Sequence, residues 1–238
     1  MVDLAEYLEL RKRPSGPAAM CQSWRDLTFL HFSADPEEIQ KTLPPGVSVD
    51  TFNGRAWIGL VPFWMTGIRH PKLPAIPGLS SFPETNVRTY VHHGGKQPGV
   101  WFYSLDAALL PACLFARATF GLPYFHARMA VTRNSKIQYQ SRRREASLDA
   151  EIELGTSMEL PKPGSLEFFL IERYLLYSVK SGRLQTGIVN HPPYQLRNAR
   201  VLRCEESLIS SNQLSPKPWE HICFSPGVDV EVFKLQKA

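Results

Sequence analysis

The sequence predicts a mainly β, α+β fold: a largely antiparallel barrel, or a pair of curved sheets, with a few helices packed outside. Three observations carry this expectation. About a dozen short runs read as strands, and only three or four as short helices. These runs do not alternate regularly, which disfavours a parallel βαβ sheet. Proline (20 residues) and glycine (15) punctuate the 238 residues often, as many short elements joined by turns require. A chain of this length suits one all-β barrel of roughly 200–250 residues. No repeat or internal linker divides it, so residues 1–20 read as an N-terminal arm and 21–238 as a single barrel domain.

In chain order, Pro14-Ser15-Gly16-Pro17 ends any first helix, and Trp24 to Ser33 is rich in aromatic and apolar side chains, as a strand is. Asp35-Pro36-Glu37-Glu38 opens a helix: Asp35 caps, Pro36 suits the first helical position and Glu38 completes a capping box. Val47 to Phe52 and Arg55 to Phe63 read as two strands of a hairpin about Asn53-Gly54. Residues 66 to 83 hold Pro71, Pro74, Pro77 and Pro83 and no acid, so they are expected to form a long loop. Glu84 to His92 and Val100 to Leu105 follow as strands, and residues 107 to 119 as a helix with Pro111 near its first turn. Phe125 to Arg133 and Ile137 to Arg144 form a second hairpin, and Glu151 to Leu154 a short strand. Ser165 caps a short helix through Ile171. Tyr174 to Lys180, Leu184 to Asn190 and Val201 to Glu205 read as strands, with a helical turn at Glu206 to Asn212. Ile222 to Phe224 and Val228 to Leu235 close the chain about Pro226-Gly227.

Composition excludes several classes. Hydrophobic residues (43%) and charged residues (21%) sit near globular averages, which argues against disorder. The net charge of +5 is mild, and the cluster Arg142-Arg143-Arg144 reads as a solvated basic edge rather than a nucleic-acid surface. Cys21, Cys113, Cys204 and Cys223 form no C-x-x-C pair, so zinc and thioredoxin-type readings have no support, and no metal or cofactor is expected. The start, MVDLAEYLELRKR, lacks a secretory pattern, and no apolar run approaches a membrane span. A cytoplasmic protein with reduced thiols, no membrane partner and no nucleic-acid partner is expected.

The most informative polar pattern is Phe82-Pro83-Glu84-Thr85-Asn86-Val87-Arg88-Thr89-Tyr90-Val91. Strand side chains alternate, so Glu84, Asn86, Arg88 and Tyr90 share one face. Four polar groups in a row need water or a polar cavity. Facing a barrel interior, Glu84 supplies an acid-base group and Arg88 an anion clamp; facing outward, they are a solvated row or a structural ion pair. Asp106 precedes the helix as a capping residue or a carboxylate partner, and Arg117 lies among apolar neighbours where Glu84 or Asp106 would pair with it. Tyr124 with His126 and Arg128, then Glu172-Arg173-Tyr174 with Tyr177, form further polar-aromatic groups, and His191 follows a strand. There is no G-x-S-x-G, P-loop or G-x-G-x-x-G.

These residues resemble a known family. The runs Leu27 to Phe32, Asp35-Pro36-Glu37, Leu43-Pro44-Pro45-Gly46 and Asp50 to Trp57 with Pro62-Phe63 carry part of the resemblance. Phe82 to Val91, Gly99 to Phe102 and Ser104 to Ala107 are its most specific parts, continued by Ala116-Arg117, Leu122-Pro123-Tyr124, Glu172-Arg173-Tyr174 and His191-Pro192-Pro193. Together they look like the uncharacterised YqjF-like family, a branch of the acetoacetate decarboxylase-like superfamily, over about residues 20 to 236. The resemblance implies a cone-like antiparallel β-barrel with a few peripheral helices, often oligomeric. In the decarboxylase, a lysine with a lowered pKa forms a Schiff base with a β-keto acid. That lysine pair precedes a Gly-x-Pro, here Gly121-Leu122-Pro123, so the matching residues are near Ala118-Thr119, and no lysine occurs between Lys96 and Lys136. One family glutamate has no counterpart, since no acid lies between Asp50 and Glu84; the second matches Glu84, and the family arginine falls near Trp24 or Arg25.

The expected function is therefore small-molecule binding, or non-Schiff-base chemistry on an oxo or hydroxy acid or related carbonyl compound. Glu84 is the candidate acid-base residue, and Asn86, Arg88, Tyr90, Arg117, Tyr124, Arg173 and His191 are the candidate ligand-binding residues. The alternative is a non-catalytic scaffold in which Glu84, Arg88 and Arg117 form a buried ion network.

Overall fold

The computed structural model describes residues 2–238, which among them form fourteen strands and five short helices. Helix α1 (Leu4–Leu10) leads into β1 (Met20–Ala34), followed by α2 (Pro36–Gln40), β2 (Ser48–Val49), β3 (Ala56–Arg69), β4 (Phe82–His93) and β5 (Lys96–Ala107). Helix α3 (Leu110–Phe120) precedes β6 (Tyr124–His126), β7 (Arg128–Arg133), β8 (Lys136–Arg143) and β9 (Ala146–Ser157). Helix α4 (Leu166–Ile171), β10 (Leu175–Lys180), β11 (Arg183–Asn190), β12 (Arg197–Glu206), α5 (Leu208–Ser211), β13 (His221–Val232) and β14 (Gln236–Lys237) complete the chain.

Seven strands close a ring in the order β11-β10-β5-β4-β3-β1-β13, sealed where Val189 and Asn190 of β11 pair with Val232 and Glu231 of β13. All ring pairings are antiparallel except β10 with β5. The sheet then runs on from β13 through β12, β9 and β8 to β7. This extension shares a core with the outward faces of the barrel: Leu30, Phe32, Ile58, Leu60 and Val87 cluster with Ile137, Tyr139, Leu148 and Ile152. Strands β1, β3 and β4 are thus buried on both faces. A polar row on the inward face of β4 is therefore shielded from the outer surface and reaches solvent only through the barrel interior, which bears directly on Glu84, Asn86 and Arg88.

Local chemistry explains the elements. Asp35 accepts from Glu37 N at 2.7 Å at the start of α2, and Ser165 accepts from Phe168 N at 3.2 Å at the start of α4, as capping predicts. Helix α3 ends at Gly121, whose φ of 64° is the left-handed conformation that glycine adopts without steric cost. The reciprocal bond expected from Glu38 is absent among the described residues.

Several boundaries differ from the sequence reading. Asn53 and Gly54 make the expected tight turn, with φ of 51° and 75°, but only Phe52 and Arg55 bridge across it. The segment before it pairs elsewhere: Ser48 and Val49 face His92 and Val91 of β4, because β3 is already flanked by β1 and β4. The Pro-rich loop is shorter than expected, spanning 70–81, because β3 continues through Gly67, where a positive φ of 67° accommodates an irregularity. The closing segment is one strand, β13, that passes through Pro226-Gly227 instead of turning there. Gly227 lies opposite Arg25 at φ 135°, and an added Cβ would stand 2.1 Å from the Trp24 carbonyl oxygen.

Candidate functional site

The barrel ring encloses a cavity of about 450 Å³, lined by side chains from all seven strands. Alternation places them. On β4, Phe82, Glu84, Asn86 and Arg88 point inward at every second position. On β1, Met20, Gln22 and Trp24 do the same; then Asp26, at φ 53°, breaks the register, and Leu27 takes the inward phase. Helix α3 and the 70–81 loop cover one end, where Phe115, Ile76 and Leu79 line the opening while 58%, 60% and 51% exposed. That end is the mouth.

The other end is closed by charge pairing. Arg173, just after α4, donates from Nη1 to Asp50 Oδ2 at 2.9 Å and from Nε to the Phe169 carbonyl at 2.7 Å. Tyr7 of α1 donates to the same Asp50 oxygen at 2.5 Å. The Arg173 guanidinium lies 4.3 Å from the Phe169 ring centroid and 4.9 Å from that of Tyr90. Its Nη2 finds no partner among the described residues, and Arg173 lines the cavity.

Arg88 is 9% exposed. It donates from Nη2 to the Leu170 carbonyl at 3.2 Å and to Tyr90 Oη at 3.4 Å, while its Nε is unpartnered, and no carboxylate pairs with it among the described residues. Two other polar atoms on cavity-lining residues, Asn86 Oδ1 and Trp24 Nε1, also lack partners. Buried polar groups are normally satisfied, so four unpartnered polar atoms on residues that line one cavity single out this part of the barrel.

Glu84 is 2% exposed and accepts from Tyr124 Oη at 3.0 Å. Burial pushes its carboxyl up to about 8; the Tyr124 hydrogen bond opposes this and the charge of Asp106 adds to it. A carboxyl titrating near 8 favours its protonated form at pH 7, and Glu84 lines the cavity. The Tyr124 hydroxyl is held well above the usual phenol range by burial and by Glu84, so it stays a donor.

The remaining expected residues fall elsewhere. Tyr90 shares the β4 face but lies deeper than the cavity lining; its Oη is 2.7 Å from His31 Nε2, and its ring packs 5.4 Å from Phe169. Arg117 is exposed on α3, its Nε donating to the Tyr124 carbonyl at 2.5 Å and its guanidinium over the Phe125 ring, so it holds the α3–β6 connection instead of facing the cavity. His191 stacks on Tyr174 at 4.5 Å and packs 4.7 Å from Tyr194, behind the cavity wall; burial lowers it to about 4, which keeps it neutral. His126 and Arg128 are exposed. Glu84, Arg88 and Arg117 form no ion network: Asp106 takes Arg143, whose Nε donates to both carboxylate oxygens at 3.1 and 3.0 Å. Gln22 and Tyr194 are cavity residues the sequence reading did not single out, and Trp24, named there only as a possible place of the family arginine, lines the cavity as well. For Gln22 and Trp24 the alternation with Met20 was an available signal.

Among the described residues, no lysine lines the cavity and no group of three or more His, Cys, Asp or Glu is placed to hold a metal. Among the described residues, no helix is long and apolar enough to cross a membrane.

Solved structures share this architecture. The enduracididine biosynthesis enzyme MppR complexed with pyruvate superposes with a TM-score of 0.68 at 12% identity, covering 93% of this chain and 91% of that one. An acetoacetate decarboxylase-like enzyme from Sphingomonas wittichii RW1 gives 0.67 at 10% identity, covering 94% of each chain. Acetoacetate decarboxylase from Legionella pneumophila gives 0.65 at 11% identity, covering 96% of this chain and 90% of that one. The fold is thus the acetoacetate decarboxylase-like barrel. Within it, residues 21–229 match DUF2071, described as an uncharacterized conserved protein, and the chain belongs to that family. The uncharacterized protein YqjF of Bacillus subtilis (strain 168) is 40% identical over 192 residues, 79% of each chain.

Proposed function

We propose that the barrel cavity binds an oxo or hydroxy acid, or a related carbonyl compound, without forming an imine. The observation that carries this reading is the placement of a buried Glu84 and a carboxylate-free Arg88 on one wall of the cavity. A guanidinium with unused N–H groups is suited to a carboxylate. A neutral carboxylic acid beside a phenol donates to a carbonyl or hydroxyl oxygen, and a group titrating near 8 gives or takes a proton close to neutral pH. Imine formation needs an amine, and the cavity lining holds none. The superfamily neighbour MppR, solved with pyruvate, supports an oxo acid as the ligand class.

The test is calorimetric titration with a panel of oxo and hydroxy acids against wild type, Glu84→Gln and Arg88→Leu, with borohydride added to parallel samples for mass spectrometry. Binding by wild type, at least tenfold loss in Arg88→Leu and no borohydride-trapped adduct is the expected result. A trapped adduct, or affinity unchanged in Arg88→Leu, overturns it.

A further inference from the structure

The distribution of polar groups along the cavity says more about ligand shape. Glu84 lies beside Phe63 and Ala107, at the end of β5 that leads into α3 and hence toward the mouth. Arg88 lies four residues further along β4, against the α4 carbonyl of Leu170, and Arg173 lines the same closed end. At a strand rise of about 3.3 Å per residue their backbone positions are roughly 13 Å apart, which sets the scale of the separation between the two poles. Between them the wall is mostly apolar: its polar side chain on β4, Asn86, is flanked by Val61 and Leu105 in register, and Leu27 faces the same space. Cross-strand neighbours share a face, so a ligand leaving Arg88 for Glu84 travels along hydrocarbon. The mouth is apolar too, with Ile76, Leu79 and Phe115 exposed there.

A three- or four-carbon oxo acid reaches one pole and leaves most of this space unfilled. The cavity of about 450 Å³ has room well beyond what such a small acid occupies. Carbon–carbon bonds of about 1.5 Å advance roughly 1.25 Å each in an extended chain, so about ten bonds span the two poles. We infer that the cavity takes an elongated monocarboxylic acid with an apolar body: its carboxylate on Arg88 and Arg173 at the closed end, its chain along the Val61–Leu105 wall, and an oxo or hydroxyl group far along the chain meeting Glu84 and Tyr124 near the mouth. This rests on the cavity being a ligand site at all, as proposed above.

The experiment is a titration of wild-type protein with straight-chain monocarboxylates of four to twelve carbons, alongside pyruvate and 3-oxobutanoate, read by calorimetry. Each buried methylene is expected to tighten binding about three- to fourfold, up to near ten carbons, where the gain stops. The methyl ester of the tightest acid is expected to bind at least tenfold more weakly. Ala116→Phe, on the α3 face that lines the cavity, is expected to move the optimum to a shorter chain. Affinity independent of chain length, tighter binding of the two short oxo acids, or an unmoved optimum in Ala116→Phe overturns the elongated ligand while leaving the cavity reading intact. No binding by either set of acids overturns both.

Discussion

Replacing Glu84 by Gln is expected to stabilise the protein at alkaline pH and to leave it nearly unchanged in acid. The folded-state carboxyl titrates near 8 and its ordinary value is 4.5, so the folded chain holds a proton that the unfolded chain releases between those limits. A group raised in this way gives its full contribution below the unfolded value and loses it as pH climbs toward the folded one. At 1.36 kcal/mol per pH unit the whole window is worth on the order of 5 kcal/mol, and the span from pH 6 to pH 8 about 2 kcal/mol. Glutamine keeps the shape, accepts from Tyr124 and has no proton to lose. Asp106, raised to about 6 by burial against the pull of Arg143, titrates in both proteins and cancels in the difference. The assay is thermal or urea unfolding of both proteins at pH 5, 6, 7, 8 and 9. For a chain of this size, 2 kcal/mol corresponds to roughly 4–8 °C, so the variant gains about that much in Tm on wild type between pH 6 and pH 8. A constant difference across pH, or a variant that loses several kcal/mol at every pH, refutes a protonated Glu84 and indicates a carboxylate paired with a cation.

Two further substitutions test parts of the frame. Arg143→Gln leaves Asp106, fully buried, without its counter-charge; the expected cost is about 3–5 kcal/mol above pH 7. That cost shrinks below pH 5, where Asp106 protonates, and urea unfolding at the two pH values reads the contrast. Gly227→Ala places a Cβ against the Trp24 carbonyl in a backbone conformation that L side chains rarely adopt, so a loss of more than about 1 kcal/mol is expected by thermal unfolding. A neutral result would show that the β1–β13 crossing relaxes freely.

The inward row of the candidate site was legible because it lies on one regular strand. Alternation alone groups Glu84, Asn86 and Arg88, and the structure turns all three into the cavity. Tyr90 belongs to the same row, yet His31, 59 residues away in sequence, takes its hydroxyl. Arg117 looked like a cavity cation because its neighbours are apolar, but those neighbours face the mouth and the helix turns the arginine outward. Asp106 finds Arg143 across a separation of 37 residues, and Arg173 finds Asp50 across 123, distances at which local pattern carries no information about pairing. Helix caps at Asp35 and Ser165 were readable because a cap bonds within three residues. The hairpin at Asn53-Gly54 shows the converse: the turn chemistry is local and forms, whereas strand pairing is a competition, and β4 wins Ser48 and Val49 from β3. The phase change on β1 at Asp26 was invisible because nothing in the residue type demands a positive φ there.

The central claim is that a neutral Glu84 and an unpaired Arg88 together read a ligand in the barrel. The most direct measurement is the affinity of the tightest-binding acid for wild type and for Glu84→Gln, by calorimetry from pH 6 to pH 9.5. Level affinity for wild type below pH 7, a fall approaching tenfold per pH unit above pH 8 as Glu84 ionises, and no such fall in Glu84→Gln are expected. Identical pH profiles for the two proteins, or no binding by either, would contradict the claim.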